Sequence, residues 1–358
     1  MSIFVTTYIP YMKRFLSTKA LVITILTLLC QYAEAERVTL DFFYDGLFDN
    51  REYKNDMLPQ TIYGMRFTPV AGIRHDGHEI MFGTSKIWEY GSSESIKPDV
   101  IMFYNFRGDH FDFTFGSFPR KRLQRQLPGF MLYDSIAYFN PQIQGTMFGY
   151  RNGGFSSELY CNWYGRQSET TREAFRIVWD GAIEYGNFSA GWFSAMTHHA
   201  KPKAPGYFIY DQIQFYPYIS YQSGPLTQAG IRLSLDAGLA MTGVRKREID
   251  KSDLNMGFLG HGNLTWKKIH VNTLVYSGNR MQPYLHDPEA GIMFHRADPF
   301  YNHKLYTKTG IGITFYEDRF VRFGFDWNIH TTDKTLHNQQ MIKVNYTFNP
   351  EMIDRTGR

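Results

Sequence analysis

The chain has 358 residues, of which 43% are hydrophobic and 17% aromatic, and a formal net charge of +4. That composition excludes wholesale disorder, and so small a charge gives no case for a nucleic-acid partner. Two cysteines, one of them inside an expected leader, leave no disulfide framework for the mature chain.

Residues 1–35 read as a secretion signal. Lys13, Arg14 and Lys19 supply the positive region. Ala20–Cys30 is an apolar stretch too short to span a bilayer, and Ala33-Glu34-Ala35 is a small-x-small cleavage site. Met12 offers a second start for the same signal, and a short membrane anchor is the other reading. Cleavage leaves Cys161 alone. A large exported protein without disulfides needs another source of stability, and a closed barrel, with every backbone hydrogen bond made between strands, is one.

No later stretch is apolar enough for a membrane helix. Short alternating runs recur instead to the C-terminus. About sixteen candidate strands follow from period two bounded by turn residues. The first eight are Val38–Tyr44, Thr61–Val70, His78–Trp88, Val100–Phe106, Phe111–Gly116, Ile143–Tyr150, Phe155–Trp163 and Arg172–Glu184. The others are Phe188–Met196, Gln212–Tyr221, Gln228–Ala237, Asn255–Trp266, Ile269–Tyr276, Leu305–Tyr316, Phe320–Ile329 and Gln339–Phe348. Near the end, Val321, Phe323, Phe325, Trp327 and Ile329 share one face, and Arg322, Gly324, Asp326, Asn328 and His330 the other. Ile311 and Ile313, Leu233 and Leu235, and Val344 follow the same rule.

Alternation alone also suits a soluble sandwich. The connections separate the two. Tight turns follow even-numbered strands, as at Arg107-Gly108-Asp109, Arg151–Gly154, Tyr185-Gly186-Asn187, Lys267-Lys268 and Glu317-Asp318-Arg319. Long connections follow odd-numbered ones: Asp45–Gln60, Phe118–Gln142, Thr197–Asp211, Ala240–Leu254 and Ser277–Lys304. Short turns on one side and long loops on the other mark outer-membrane barrels. The reading is therefore all-β: a transmembrane, antiparallel, up-and-down β-barrel over residues 36–349, with a short tail at 350–358. Its expected place is the outer membrane of a Gram-negative bacterium. Aromatic runs at Tyr207-Phe208-Ile209-Tyr210 and Phe215-Tyr216-Pro217-Tyr218 are expected at the interfacial girdles.

A barrel of this width leaves an aqueous channel unless a segment fills it. The connection after the fifth strand, residues 118–141, carries Arg120, Lys121, Arg122 and Arg125. Strand number, loop alternation and this long third loop resemble the sixteen-stranded bacterial porins. The resemblance implies that residues 118–141 fold into the lumen and narrow it. Gly116–Arg120 (GSFPR) is similar to the Gly-x-Phe lead into that loop in phosphate-selective porins. One departure is that Phe348, the expected terminal aromatic, is followed by ten more residues.

The function implied is passive diffusion of small hydrophilic solutes. A basic constriction of Arg120, Lys121, Arg122 and Arg125, extended by inward Arg176, Arg232 and Arg322, would favour anions. Arg66, Lys308 and Lys343 would continue that track. Inward Glu79, Asp112, Glu158, Asp180, Asp236 and Asp326 support the rival reading, a mixed wall whose charges cancel in pairs. Expected partners are membrane lipids, lipopolysaccharide and small solutes; the resemblance adds a homotrimer. No metal or cofactor motif stands out. His198, His199, His261, His270, His286, His295 and His303 lack metal or hydrolase spacing, and no GxSxG precedes a helix. The chain is thus read as no enzyme. Two other functions remain open: a barrel enzyme such as a lipid hydrolase, and a barrel for polymer export or surface assembly.

Overall fold

The computed structural model describes residues 37–349 apart from 55–58, 94, 204–208, 227, 229, 248–250, 282–295 and 334. The expected signal and the tail at 350–358 lie outside these residues. Sixteen strands form one closed barrel in which every strand pairs antiparallel with its neighbours in sequence. In chain order the first eight are β1 (Arg37–Glu52), β2 (Gln60–His75), β3 (His78–Glu89), β4 (Asp99–Arg107), β5 (Phe111–Pro119), β6 (Gln142–Asn152), β7 (Phe155–Gly165) and β8 (Ala174–Tyr185). The rest are β9 (Phe188–His199), β10 (Tyr210–Gln222), β11 (Arg232–Lys246), β12 (Lys251–Trp266), β13 (Ile269–Gly278), β14 (Leu305–Glu317), β15 (Val321–Thr332) and β16 (Leu336–Phe348). Among the described residues, helix is confined to one short α-helix, Asp134–Phe139, and two 3-10 turns, Arg120–Arg122 and Pro299–Asn302. This is an outer-membrane-type barrel.

The seam between β1 and β16 runs from Phe42↔Phe348 to Glu52↔Asn338. Side chains stitch it on both faces: Asn345 donates to Asp45 at 2.8 Å, Asn50 to Gln340 at 2.7 Å and Gln339 to Asp49 at 2.9 Å. Closure removes the edge strands that lipid could not solvate.

Turn chemistry explains the tight side. Between β2 and β3, Asp76 (φ 44°) and Gly77 (φ 81°) are both left-handed, the pattern of a two-residue hairpin with right-twisted strands. At the other end of β5, Gly116 has φ 125°, and a Cβ there would stand 2.3 Å from the carbonyl oxygen of Met102. Only glycine lets the strand bend at that point, just before the chain turns inward.

Two faces follow from the alternation. Ile311 is 50% exposed and Leu235 45%, whereas inward Asn328 and His330 are nearly inaccessible. Outward aromatics line both rims: Tyr63, Trp88, Tyr90 and Trp163 on the long-connection side, and Phe111, Tyr185, Phe188, Trp266 and Tyr316 on the turn side. Rings with a polar atom suit the headgroup zone. The aromatic runs expected there divide differently. Tyr207 and Phe208 lie outside the described residues, Phe215 faces out, and Tyr210 and Tyr216 are buried inside the barrel.

Two expected long connections are largely strand. β1 continues to Glu52, and β11 and β12 leave only residues 247–250 between them. Sixteen residues of strand measure about 50 Å, well beyond the hydrocarbon layer. Above the membrane the outward face need not be apolar, so the alternation fades there while the backbone ladder persists.

The interior also departs from a simple polar lining. Met81, Ile101, Phe103, Ile143, Met147 and Val178 are inward and buried. They form an apolar wall against which Leu123, Leu127, Phe130 and Met131 of the third long connection pack.

Candidate functional site: the lumen and its basic cluster

The connection 118–141 leaves and rejoins the wall at one neck, where Arg120 N–H donates to Pro141 O at 2.7 Å. From there it reaches strands on both sides of the lumen. Lys121 Nζ contacts both Asp45 carboxylate oxygens on β1 at 2.9 Å. Arg122 donates to Glu79 on β3 at 2.7 Å. Arg125 pairs with Asp180 on β8 at 2.9 Å and also donates to Ser156. The Gln124 backbone N–H donates to Glu158 at 3.1 Å. Further on, Phe130 O accepts from Gln214 at 2.9 Å and Met131 O from Arg176 at 2.7 Å. Arg51 donates to Tyr133 and Ser135, and Arg66 to Tyr138 O.

Three of the four loop cations that the sequence offers as a filter are therefore held by wall carboxylates. Asp180 and Glu79 are almost wholly buried, so the Arg125 and Arg122 pairs are rigid ties. Lys121 is half exposed. Arg120 is different: among the described residues no carboxylate pairs with it. It donates weakly to Gln142 O at 3.4 Å, and its Nε has no partner. Burial, first, and then the nearby charges of Arg296 and Arg176 push its guanidinium down to about 10, against a pull upward from Tyr160.

Arg176 shares this surrounding. Its two terminal nitrogens donate to Met131 O and to Gln214 Oε1, each at 2.7 Å, while Nε is unpaired. Arg296, from the connection between β13 and β14, lies over the Tyr164 ring at 4.6 Å. Its backbone carbonyl accepts from Tyr133 N–H at 2.6 Å, which ties the two connections together. Burial lowers the Arg296 guanidinium too. The buried hydroxyls of Tyr160 and Tyr164 lie beside Arg120 and Arg296 respectively.

Arg232 and Arg322 face inward but stand at the turn-side rim. Arg322 lies 3.8 Å from Glu317, and both are largely exposed. They do not join the cluster. Arg66 is buried against Ser85 and Tyr138, and Lys343 faces Asp326 at 3.5 Å. Sequence reasoning missed Tyr160, Tyr164, Arg296 and Arg51. Tyr160 and Arg51 could have been found as inward positions of β7 and β1. Arg296 sits in irregular backbone, where no periodicity points to a face.

Two cavities flank the connection. One, of about 450 Å³, is bordered by Arg51, Arg66, Arg120, Lys121, Arg125 and Lys343, against only three carboxylates, Asp45, Asp49 and Asp134. The other, of about 580 Å³, lies toward the turns and is bordered by Asp41, Arg74, Glu79, Arg107, Lys121 and Arg122, among others. Lys121 borders both. Among the described residues no three acidic, His or Cys side chains gather as a metal site. Of the loop histidines, His286 and His295 lie outside those residues, and His303 pairs with Asp333 at 2.6 Å.

Residues 30–200 match the family model described as "Lipid A 3'-O-deacylase-type". The match spans just under half of the chain. It overturns the expectation that the chain is no enzyme, because the family is one of deacylases. In a barrel, catalytic groups meet across strands, so linear motif spacing carries no signal there. No curated protein matches the chain in sequence. Solved structures are similar in fold. OccAB3 of Acinetobacter baumannii aligns over 87% of this chain and 99% of its own, with TM-score 0.54 and 9% identity. OprD of Pseudomonas aeruginosa aligns over 87% and 95%, at 0.53 and 10%. A loop L8 deletion mutant of OmpT, an outer-membrane protein of Vibrio cholerae, aligns over 88% and 100%, at 0.55 and 10%.

Proposed function

We propose that the barrel is a channel for small hydrophilic solutes with a preference for anions. The observation that carries this reading is the pair of cavities in series that share Lys121, the first with twice as many cations as carboxylates at its border. In a narrow, poorly screened passage such an excess enriches anions and delays cations. The porin-like fold of OprD and OccAB3 supports a conducting role. Purified chain in planar bilayers should show stepwise conductance, with a reversal potential in a salt gradient on the anion side. Lys121→Gln should shift that potential toward cations. A wild type without conductance overturns the reading.

A second reading rests on the family match: release of an acyl chain from a lipid of the lipid A type. It has a candidate histidine, His198, inside the matched stretch, with partners beyond it. His198 Nδ1 lies 2.7 Å from Asp211 on the outward face near the long-connection rim, and Asp211 also accepts from Arg247 at 2.6 Å. The stacked pair Trp163 and Phe175 stands beside His198. A histidine so oriented can take a proton from water attacking an ester at headgroup depth. Fatty-acid release from such lipids, lost in His198→Ala, supports this reading; no release by the wild type sinks it.

A further inference from the structure

On the outer face of the barrel seam, β1 presents Tyr44, Gly46, Phe48, Asn50 and Glu52 in turn toward the long-connection rim. Gly46 is the gap in that row. Its neighbours across the ladder are Met65 on β2 and Val344 on β16. Around it a groove of about 450 Å³ is cut into the lipid-facing wall, bordered by Tyr44, Phe48, Tyr63, Tyr90, Ile342 and Val344. Its upper edge is firm: Phe48 meets Tyr63 edge-on at 5.7 Å, and Tyr63 lies 4.7 Å from Tyr90. Tyr44 leans over the floor, so a Cβ at position 46 would stand 2.9 Å from its hydroxyl. Hydrocarbon surrounds this face, and a hollow in it is filled by an acyl chain. Directly above the groove the outward row turns polar. Thr61 donates to Asn50 Oδ1 at 3.1 Å, and Asn50 Nδ2 donates to Gln340 Oε1 at 2.7 Å and to Glu52 at 3.2 Å. Among the described residues the Gln340 amide nitrogen donates to nothing, so two N–H groups face outward unused.

We propose that this groove seats one acyl chain of a glycolipid whose sugar is held by Asn50, Thr61, Gln340 and Glu52. The head group follows from the charges. No Lys or Arg among the described residues of β1, β2 and β16 faces outward, and Lys86 on the adjoining β3 is turned to Ile96 O. A lipid phosphate seeks such cations. Amides, a hydroxyl and a carboxylate instead match the hydroxyl and amide groups of a sugar, which both donate and accept. Bulk lipid is as apolar as the groove, so close packing at the notch and the polar contacts above it select the occupant, not exclusion of water. The bound lipid would bridge β1, β2 and β16 across the seam that closes the ring. The site lies across the ring from His198 and Asp211 and on the outside of the lumen wall, so it stands apart from both functional readings.

The test titrates the full chain in detergent with lipid A, with dephosphorylated lipid A and with phosphatidylethanolamine, and counts bound lipid by native mass spectrometry. Both forms of lipid A are expected to bind alike, one per chain, at concentrations where phosphatidylethanolamine does not. Gly46→Leu fills the groove with a side chain that a lipid-facing strand accepts. It should weaken that binding about tenfold, the scale of about ten lost close atom contacts. Gly260→Leu makes the same change on the outward face of β12 and should leave binding unchanged. If Gly46→Leu does not close into a barrel, Thr61→Val decides: it removes one hydroxyl, keeps the shape and should weaken binding by about threefold, the scale of one hydrogen bond in a membrane. Lipid A should also raise the melting temperature of the wild type, since a ligand of the folded state stabilises it. A wild type that binds no lipid A, binding that needs its phosphates, equal binding of phosphatidylethanolamine, equal losses in Gly46→Leu and Gly260→Leu, or no loss in Thr61→Val overturns the proposal. The titration is repeated in His198→Ala, where binding should persist. Binding without fatty-acid release by the wild type keeps the groove and overturns the hydrolysis reading; release without groove-dependent binding does the reverse.

Discussion

Asp298 shows how one buried carboxyl can tie stability to pH. Its backbone N–H donates to Gly129 O at 2.9 Å and its side chain accepts from Phe300 N–H at 3.0 Å, so it pins the β13–β14 connection to the third one. Burial pushes its carboxyl up to about 7 from an ordinary value of 3.8; the Phe300 N–H pulls it back and Asp134 adds to the rise. Between those two values the folded chain holds a proton that the unfolded chain has lost. Stability therefore falls as pH climbs through this window, by about 1.4 kcal/mol for each step of one in pH, and levels off above it. Thermal melts from pH 4 to 8 should show that fall, and Asp298→Asn should flatten it. An unchanged slope in the variant would assign the dependence to other groups.

At the scale of elements, the third connection is fastened by ties of unequal strength. Asp180 is buried and Arg125 partly so, and removing one partner of a fully buried pair costs about 3–5 kcal/mol, an upper bound here. The Lys121–Asp45 contact is half exposed and worth about 0–1 kcal/mol. Arg125→Gln should thus lower the melting temperature sharply and make the single-channel current noisy. Lys121→Gln should leave the melt nearly unchanged while moving ion preference. If the two variants melt alike, the connection is held by its apolar contacts instead.

The strands themselves were readable because their outward residues must be apolar, as Ile311, Ile313 and Phe323 are. A strand is legible only where lipid imposes that rule. The upper halves of β1 and β11 escape it, so Asp49 and Arg51 looked like loop residues. The basic run Arg120–Arg125 was legible as chemistry, but not its pairing: Glu79 and Asp180 lie far off in sequence, and register alone brings them near. Arg296 had no pattern to betray it.

For the molecule as a whole, the lipid boundary is the simplest claim to check. Ile311 faces outward near the middle of β14, whereas Asn345 faces the cavity from β16. Arginine at a lipid-facing midplane site costs about 2–4 kcal/mol. Ile311→Arg should therefore impair folding into bilayers, read as loss of the heat-modifiable band on gels, much more than Asn345→Arg. Orientation is tested in a Cys161→Ser background with single cysteines at Gly153, in a tight turn, and Lys203, in a long connection. In intact cells an impermeant thiol reagent should label the second alone; labelling of the first alone would invert the barrel.

The seam between β1 and β16 carries a consequence in time. The first strand to leave the synthesis machinery pairs, in the finished barrel, with the last. Until Leu336–Phe348 arrives, the outer side of Arg37–Glu52 has no partner for its peptide groups, and hydrocarbon offers none. The connection at 118–141 bonds to β3 and to β8, so its ties form only once both of those strands are in place. The ring thus stays open at this seam until the final thirteen-residue strand is added.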